Sequence, residues 1–481
     1  MNGATGDGRG SRPRIVLATS NGTGMGHLAR QAAVGLALRE VADPVVFSLS
    51  TAVSVMASHG LRAEYCPSHH RGWMPHPLWH RYLRDRLSAL VEETEARVVV
   101  FDGVAPYLGL LRARAAHPDV AFCWMRRGMW RPGANERALS AAAFFDLVVE
   151  PGDVASDADR GATAAREDAT RVGPVTLLEG VPQLSRAEAA AALGLDPARP
   201  TCLVTLGAGS INDTRTPSAA AVRALVETPD WQVAVTRAPL AAAGLGHDQA
   251  ARVHELAGVY PLVRYLAAFD AAVSAAGYNA VQELLHAAVP TVLVPNAQTA
   301  TDDQRRRARW AADVGLALYA EEDDPETVGA EARRLLDPTV RASLRGVCAT
   351  LPHPRGASEA AGLVSSLAAR FDGHRPSSGE RWRARDLAVR DVAMRRLGTS
   401  GTAVVRRALG RGPLSGPSRR LTVEPLLTDR LDDEVVRGDR PVEHLMPGTS
   451  PRYRRRRWAI AQVCYDLPRA TADREGADQR V

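Results

Sequence analysis

The sequence predicts two doubly wound α/β domains facing a cleft, followed by a basic extension. Three observations carry this expectation: a length of 481 residues, two successive series in which short apolar runs alternate with amphipathic stretches, and an arginine-rich segment that breaks the pattern. The composition, 45% hydrophobic and 24% charged, is that of a globular chain.

Residues 1–13 are polar and are expected to be disordered. The first series, expected as one Rossmann-like domain over 14–170, has strand-like runs at Ile15–Thr19, Val45–Leu49, Arg97–Phe101, Val120–Trp124 and Leu147–Glu150. Each is short and mostly rich in β-branched residues, as buried parallel strands are. A glycine-rich turn and a helix over 27–39 follow the first run. Residues 153–170 are polar and alanine-rich and read as a loop. Ser185 and Glu188 form a capping box ahead of a short helix. The second series, expected over 171–370, has strands at Cys202–Leu206, Gln232–Val235, Ala271–Ser274 and Thr291–Val294, with helices near Tyr278–Ala288, Asp302–Val314 and Glu326–Leu336. Residues 371–481 form the extension, with 23 arginines against 15 acids.

The chain contains no lysine, so all 60 basic residues are arginines. That excludes Schiff-base chemistry, Walker-type phosphate binding and kinase chemistry, each of which needs a lysine amine. Cys66, Cys123, Cys202, Cys348 and Cys464 are scattered and odd in number, as in a reducing compartment. No signal segment and no apolar run of about 18 residues is present, so the expectation is a cytoplasmic protein.

The most informative segment is SAAGYNAVQELLHAAVPTVLVPNAQTATDDQRRRA, residues 274–308. A strand ends at Ser274, the chain turns at Gly277, and a helix starts at Tyr278 or Asn279. Unpaired N–H groups and the positive helix terminus then meet at the C-terminal edge of a parallel sheet, where phosphate binds. Glu283, about one turn further, is placed to accept hydrogen bonds from a ribose diol. Asp303 and Gln304 follow the next strand and suit sugar hydroxyls.

This segment resembles the donor-binding motif of the GT-B nucleotide-sugar transferases, among them the plant UDP-glycosyltransferases and the bacterial enzyme that adds N-acetylglucosamine to the peptidoglycan lipid intermediate. Gly277, Asn279, Glu283, Pro295, Asp303 and Gln304 stand at matching positions, over a resemblance that covers roughly 14–370. It implies a GT-B fold, a UDP-sugar donor, no obligatory cofactor or metal, and transfer to a hydroxyl with inversion. Plant members carry a histidine near the diphosphate where this chain has Ala275. A similar turn contacts donor phosphates in the family, which implicates Gly207, Gly209 and Ser210 of LGAGS.

In the first half, Gly22, Gly24, Gly26 and His27 form a turn whose spacing is not that of a nicotinamide dinucleotide site. The resemblance places Gly24 and Gly26 on the acceptor side and His27 as general base, with Asp102, at the end of a later strand, orienting it. A hydroxyl must lose its proton as the anomeric carbon is attacked, and a histidine held in one tautomer by a carboxylate accepts it near neutral pH. The plainer alternative is that His27 and Asp102 cap helices. WMRRGMWRPG brings Arg126, Arg127 and Trp130 together, either for a phosphate- or sugar-bearing acceptor or as a solvated turn. The stretch CPSHHRGWMPHPLWH contains Cys66, His69, His70, His76 and His80, but its spacing fits no standard zinc site, and its prolines suggest a loop lining the acceptor cleft.

The expected partners are a nucleotide sugar and a lipid-linked, polysaccharide or small-molecule acceptor. Arg452–Trp458 in RYRRRRW suits an anionic membrane surface at the inner face; nucleic acid is not expected. Two other readings share the sequence: a nucleotide-sugar 2-epimerase of the same fold, and a non-catalytic binding protein.

Overall fold

The computed structural model describes residues 12–20, 25–69, 76–207, 214–236, 247–378 and 380–382. The expectations placed on Gly24, Gly209, Ser210 and Arg452–Trp458 lie outside the described residues.

The first half is built on a parallel sheet of seven strands: β1 (Arg14–Thr19), β2 (Asp43–Ser48), β3 (Arg62–Tyr65), β4 (Val98–Asp102), β5 (Ala121–Met125), β6 (Leu147–Pro151) and β7 (Thr170–Val172). Their spatial order is 3-2-1-4-5-6-7. The second half repeats the plan with β8 (Thr201–Thr205), β9 (Gln232–Val235), β10 (Val253–Glu255), β11 (Ala271–Ala275), β12 (Thr291–Val294) and β13 (Leu318–Tyr319), ordered 10-9-8-11-12-13. Both orders reverse direction beside their first strand, the switch point at which open α/β sheets bind ligands. The central strands match the apolar runs of the sequence. The strands β3, β7, β10 and β13 were not expected; they lie at or near sheet edges, are two to four residues long, and include exposed or half-buried positions that blur the apolar signal.

The first helix, Gly26–Leu38, is buried nearly all round, including Leu28, Ala29, Ala32, Ala33 and Val34. Its alanines let it pack between the first sheet, the second half and the last helix. Gln31, fully buried within it, donates to the carbonyls of Ala18 and Val100 at 3.3 Å each. The capping box at Ser185 is formed, with Glu188 accepting from the Ser185 N–H at 2.9 Å. The helix His76–Thr94 begins inside the histidine-rich stretch, where a loop was expected; Pro77 occupies its first turn, a position proline tolerates, and Trp79 is fully buried.

The chain passes between halves twice. It first crosses after β7, and later returns, so that the helix Gly356–Arg370 packs on the first helix and under β4–β7. The crossings touch: a Cβ on Gly356 would fall 2.0 Å from the Gly173 carbonyl oxygen, a close approach only glycine allows. Glu179 accepts from the N–H groups of Ala357 and Ser358 at 2.9 Å each, capping that helix. A single apolar cluster runs from Leu17 and Val100 through Val175 and Leu178 to Leu203, Leu284 and Val364, so the core is continuous across the junction. Residues 371–374 lie back on the first half, where His374 sits between Asp146 (2.8 Å) and Glu380 (2.7 Å). Among the described residues, no helix is long and apolar enough to cross a membrane.

Candidate active site

The C-terminal ends of β1 and β4 deliver His27 and Asp102 to the junction. His27 Nδ1 lies 2.7 Å from Asp102 Oδ1, and Asp102 is 1% exposed while the His27 side chain keeps 16%. Arg30, one turn along the same helix, forks onto the carboxylate with Nε at 2.9 Å from Oδ2 and Nη2 at 2.7 Å from Oδ1. Burial lowers the His27 pKa, with Arg30 and Arg127 adding to it and Asp102 opposing, so the imidazole is neutral near pH 7. Burial alone would raise the Asp102 carboxyl; Arg30 and His27 outweigh it and hold it below its ordinary range.

Facing this pair is the start of the helix Tyr278–His286, which follows β11. Gly277 precedes it with no side-chain cap. Asn279 bridges the halves: its Nδ2 donates to the Gly26 carbonyl at 3.2 Å and its Oδ1 accepts from Arg30 Nη1 at 3.4 Å. Gln304 Nε2 lies 3.9 Å from where a Gly277 Cβ would be, and Gln304 Oε1 accepts from the Asn296 N–H at 3.0 Å. Gly207, two residues beyond the end of β8, has φ +88°, a left-handed conformation that favours glycine. Glu283 faces the crossing segment near Leu177 and Tyr260. Burial pushes its carboxyl up to about 8, against a single opposing hydrogen bond from the Leu177 backbone.

Several residues stand elsewhere than expected. Arg126 is fully buried in the first half, paired with Glu150 and Asp168 at 3.2 Å each, and does not reach the cleft. Trp130 is 3% exposed and packs in the first core. Both were expected on the acceptor side together with Arg127, whose side chain alone of the three bonds across the junction, to Asp302. Tyr278 was expected to contact the donor. Its ring is instead buried between halves, with Arg30 and Arg127 each 5.3 Å from its centre, and its hydroxyl donates to Gly152 O and accepts from Val175 N, both at 2.9 Å. Asp303 accepts from the Arg306 N–H at 3.2 Å as the N-cap of its own helix and pairs with the Arg306 guanidinium.

The sequence reading missed Arg30, Asp302 and Arg307. Arg307, fully buried, bonds Asp153 of the first half (2.8 Å), Asp302 (2.8 Å) and the Ala276 carbonyl (3.0 Å), and Arg127 meets Asp302 at 3.2 Å. Burial would raise the Asp302 carboxyl, but Arg127 and Arg307 hold it far below its usual range. Beside this cluster a finger of the first half clasps the second: Asp303 N–H donates to Met129 O (2.8 Å) and Arg131 N–H to Thr301 O (2.6 Å). Met129 adopts a left-handed φ of 55°, a strained conformation for a side chain this large, held by the Asp159 carboxylate on its N–H at 2.8 Å. An arginine at i+3 from His27 and an acid beside the expected Asp-Gln pair were the signals available.

Residues 252–342 match the glycosyltransferase family 28 C-terminal domain. A UDP-N-acetylglucosamine--N-acetylmuramyl-(pentapeptide) pyrophosphoryl-undecaprenol N-acetylglucosamine transferase of Xanthomonas euvesicatoria is 28% identical over 314 residues, covering 64% of this chain and 68% of that protein. Its namesake in Xanthomonas oryzae is 28% identical over 295 residues, 59% of this chain and 62% of that protein, so the chain spans about two thirds of such relatives. Among solved structures, MurG of Acinetobacter baumannii aligns at TM-score 0.52 and 14% identity, over 74% of this chain and 99% of that one. A calicheamicin glycosyltransferase aligns at 0.51 and 17%, over 75% and 99%. A Listeria monocytogenes structure named as a UDP-N-acetylglucosamine 2-epimerase aligns at 0.54 and 14%, over 76% and 99%. The fold is therefore GT-B, and it is the sequence match that points to glycosyl transfer.

Proposed function

We propose, from the premise that the chain is a GT-B glycosyltransferase with a family 28 C-terminal domain, that it moves N-acetylglucosamine or a related sugar from UDP to an acceptor hydroxyl with inversion. The observation that carries this reading is the His27–Asp102 pair, 2.7 Å apart, set directly against the first turn of the Tyr278–His286 helix. In this reading the diphosphate lies at that helix start and at Gly207, Gly277 and Asn279, with no obligatory metal. Glu283 takes the ribose, and Gln304 and Asp303 take the sugar. His27, neutral and with Nδ1–H directed at Asp102, accepts the acceptor proton at Nε2 as oxygen attacks the anomeric carbon from the face opposite the leaving UDP. The departing charge meets the helix terminus with Arg30 and Arg127 close by. The relatives' names favour a lipid-linked acceptor, and in this reading the protein works in the cytoplasm at the inner membrane face.

The test has two stages. A thermal-shift titration against UDP, TDP, GDP, ADP and CMP should show UDP stabilising the fold by about 2.7 kcal/mol at one hundred times its dissociation constant. UDP-N-acetylglucosamine is then supplied with and without a lipid-linked N-acetylmuramyl acceptor. UDP release that needs the acceptor, with an inverted linkage in the product, supports the reading. Consumption of the nucleotide sugar without acceptor, with isomerisation at the sugar C2, replaces it with epimerisation.

A further inference from the structure

The proposed reaction uses His27 and Asp102 but gives Arg30 no part in positioning them. Arg30 is 2% exposed, and its guanidinium makes a planar fork on Asp102 at 2.9 and 2.7 Å. His27 Nδ1 and Arg30 Nη2 each lie 2.7 Å from Asp102 Oδ1 and 2.7 Å from each other; with the proton on Nδ1 both donate to that oxygen, which the imidazole and guanidinium share. Nη1 extends across the junction to Asn279, which in turn bonds the backbone of Gly26 immediately before His27.

We propose that Arg30 is the positioning residue of the base: it fixes Asp102 against His27 and ties that pair to the first turn of the donor-side helix. The inference rests on the reading of His27 as base. A carboxylate already neutralised by a guanidinium orients the imidazole without greatly strengthening it as a base. The charged groups facing His27 are Asp102 from β4, Arg30 from its own helix and Arg127 from the segment after β5; the donor-side helix contributes the uncharged Asn279 and Tyr278. Burial keeps His27 deprotonated at neutral pH, with Arg30 and Arg127 working in the same direction against Asp102, and the Arg30 fork keeps Asp102 Oδ1 aimed at Nδ1.

Ring-resonance titration of the histidines in the full chain tests this, with His27 assigned by its loss in H27Q. In R30M the His27 midpoint should rise by about one pH unit or more, because a cation is lost and Asp102 is released from its fork. R30K, which restores a charge, should bring the midpoint most of the way back. An unmoved midpoint in folded R30M overturns the proposal. Should R30M fail to fold, R30Q decides by the same criterion, since its amide still bonds Asp102 without the charge. The UDP thermal shift is read in parallel on wild type. Its absence alongside a moved midpoint sinks the glycosyl-transfer reading and leaves the His27–Asp102–Arg30 arrangement standing.

Discussion

On the His27 side of the junction buried charges meet opposite ones, whereas the Glu283 carboxyl lies near Tyr260 and accepts from the Leu177 backbone N–H. His27, Asp102 and Arg30 form one compensated group, and Arg127, Asp302, Arg307 and Asp153 form another. Both join the halves, and in each the acid is held below its ordinary range or the cation is fully engaged. Glu283 has no cation among the groups that shift it, and its carboxyl rises to about 8. Compensated charge gives a fixed geometry at a cost in desolvation, which suits groups that must hold still. In the proposed reaction the uncompensated carboxyl is the group that takes hydrogen bonds from the ribose.

The comparison breaks most visibly if the His27 side is emptied. H27Q should lower turnover with the acceptor about 10²–10⁴-fold, the usual worth of a general base, while UDP still stabilises the variant in a thermal-shift assay. A loss of UDP binding in H27Q would mean that the two sides are not separate. Next in size, Arg307→Met leaves Asp153 and Asp302 buried without their shared cation. It should destabilise the fold by about 3–5 kcal/mol in denaturant titration. A change under 1 kcal/mol would show that the cluster is dispensable.

Glu283→Gln sharpens the contrast through pH. The folded state holds a proton on Glu283 up to about pH 8, while the unfolded chain releases it near its ordinary value of 4.5. The folded state thus binds more protons across that window, and wild-type stability falls as pH rises through it. The variant should match wild type near pH 4, gain on it steadily to pH 8 and hold the gain above. Its UDP shift should be reduced at every pH. Parallel stability curves would place Glu283 in water. Smallest of all, Tyr278→Phe removes the hydroxyl between Gly152 O and Val175 N, and should cost about 1 kcal/mol with no change in the His27 titration.

How much of this was legible in the sequence varied with the kind of information. Central strands such as β1, β4 and β11 are apolar on both faces, so composition marks them. Edge strands such as Val253–Glu255 are not, and were missed. Strand order put His27 and Asp102 at one sheet edge. Side-chain direction was another matter: Arg126 and Arg127 are neighbours in the chain, yet one is sealed under the first half and the other faces the junction. Asp302 and Asp303 divide in the same way, one entering the ionic cluster and one capping its helix. Asn279 was read as a donor ligand, and its bonds to Gly26 and Arg30 depend on a docking of halves that no local pattern encodes.

The contact between the two chain crossings has a mechanical meaning. Gly173 and Gly356 lie against each other, and Glu179 pins the helix that begins there, so the halves are joined along a spine rather than at one flexible strand. Two adjoining tethers leave rotation about the spine as the easy motion, as with the covers of a book. The Met129–Arg131 finger and Thr301–Asp303 are the fore-edge clasp. In the proposed reaction, halves joined along one spine would approach each other along one path, so little orientational freedom would be spent in bringing His27 to the donor.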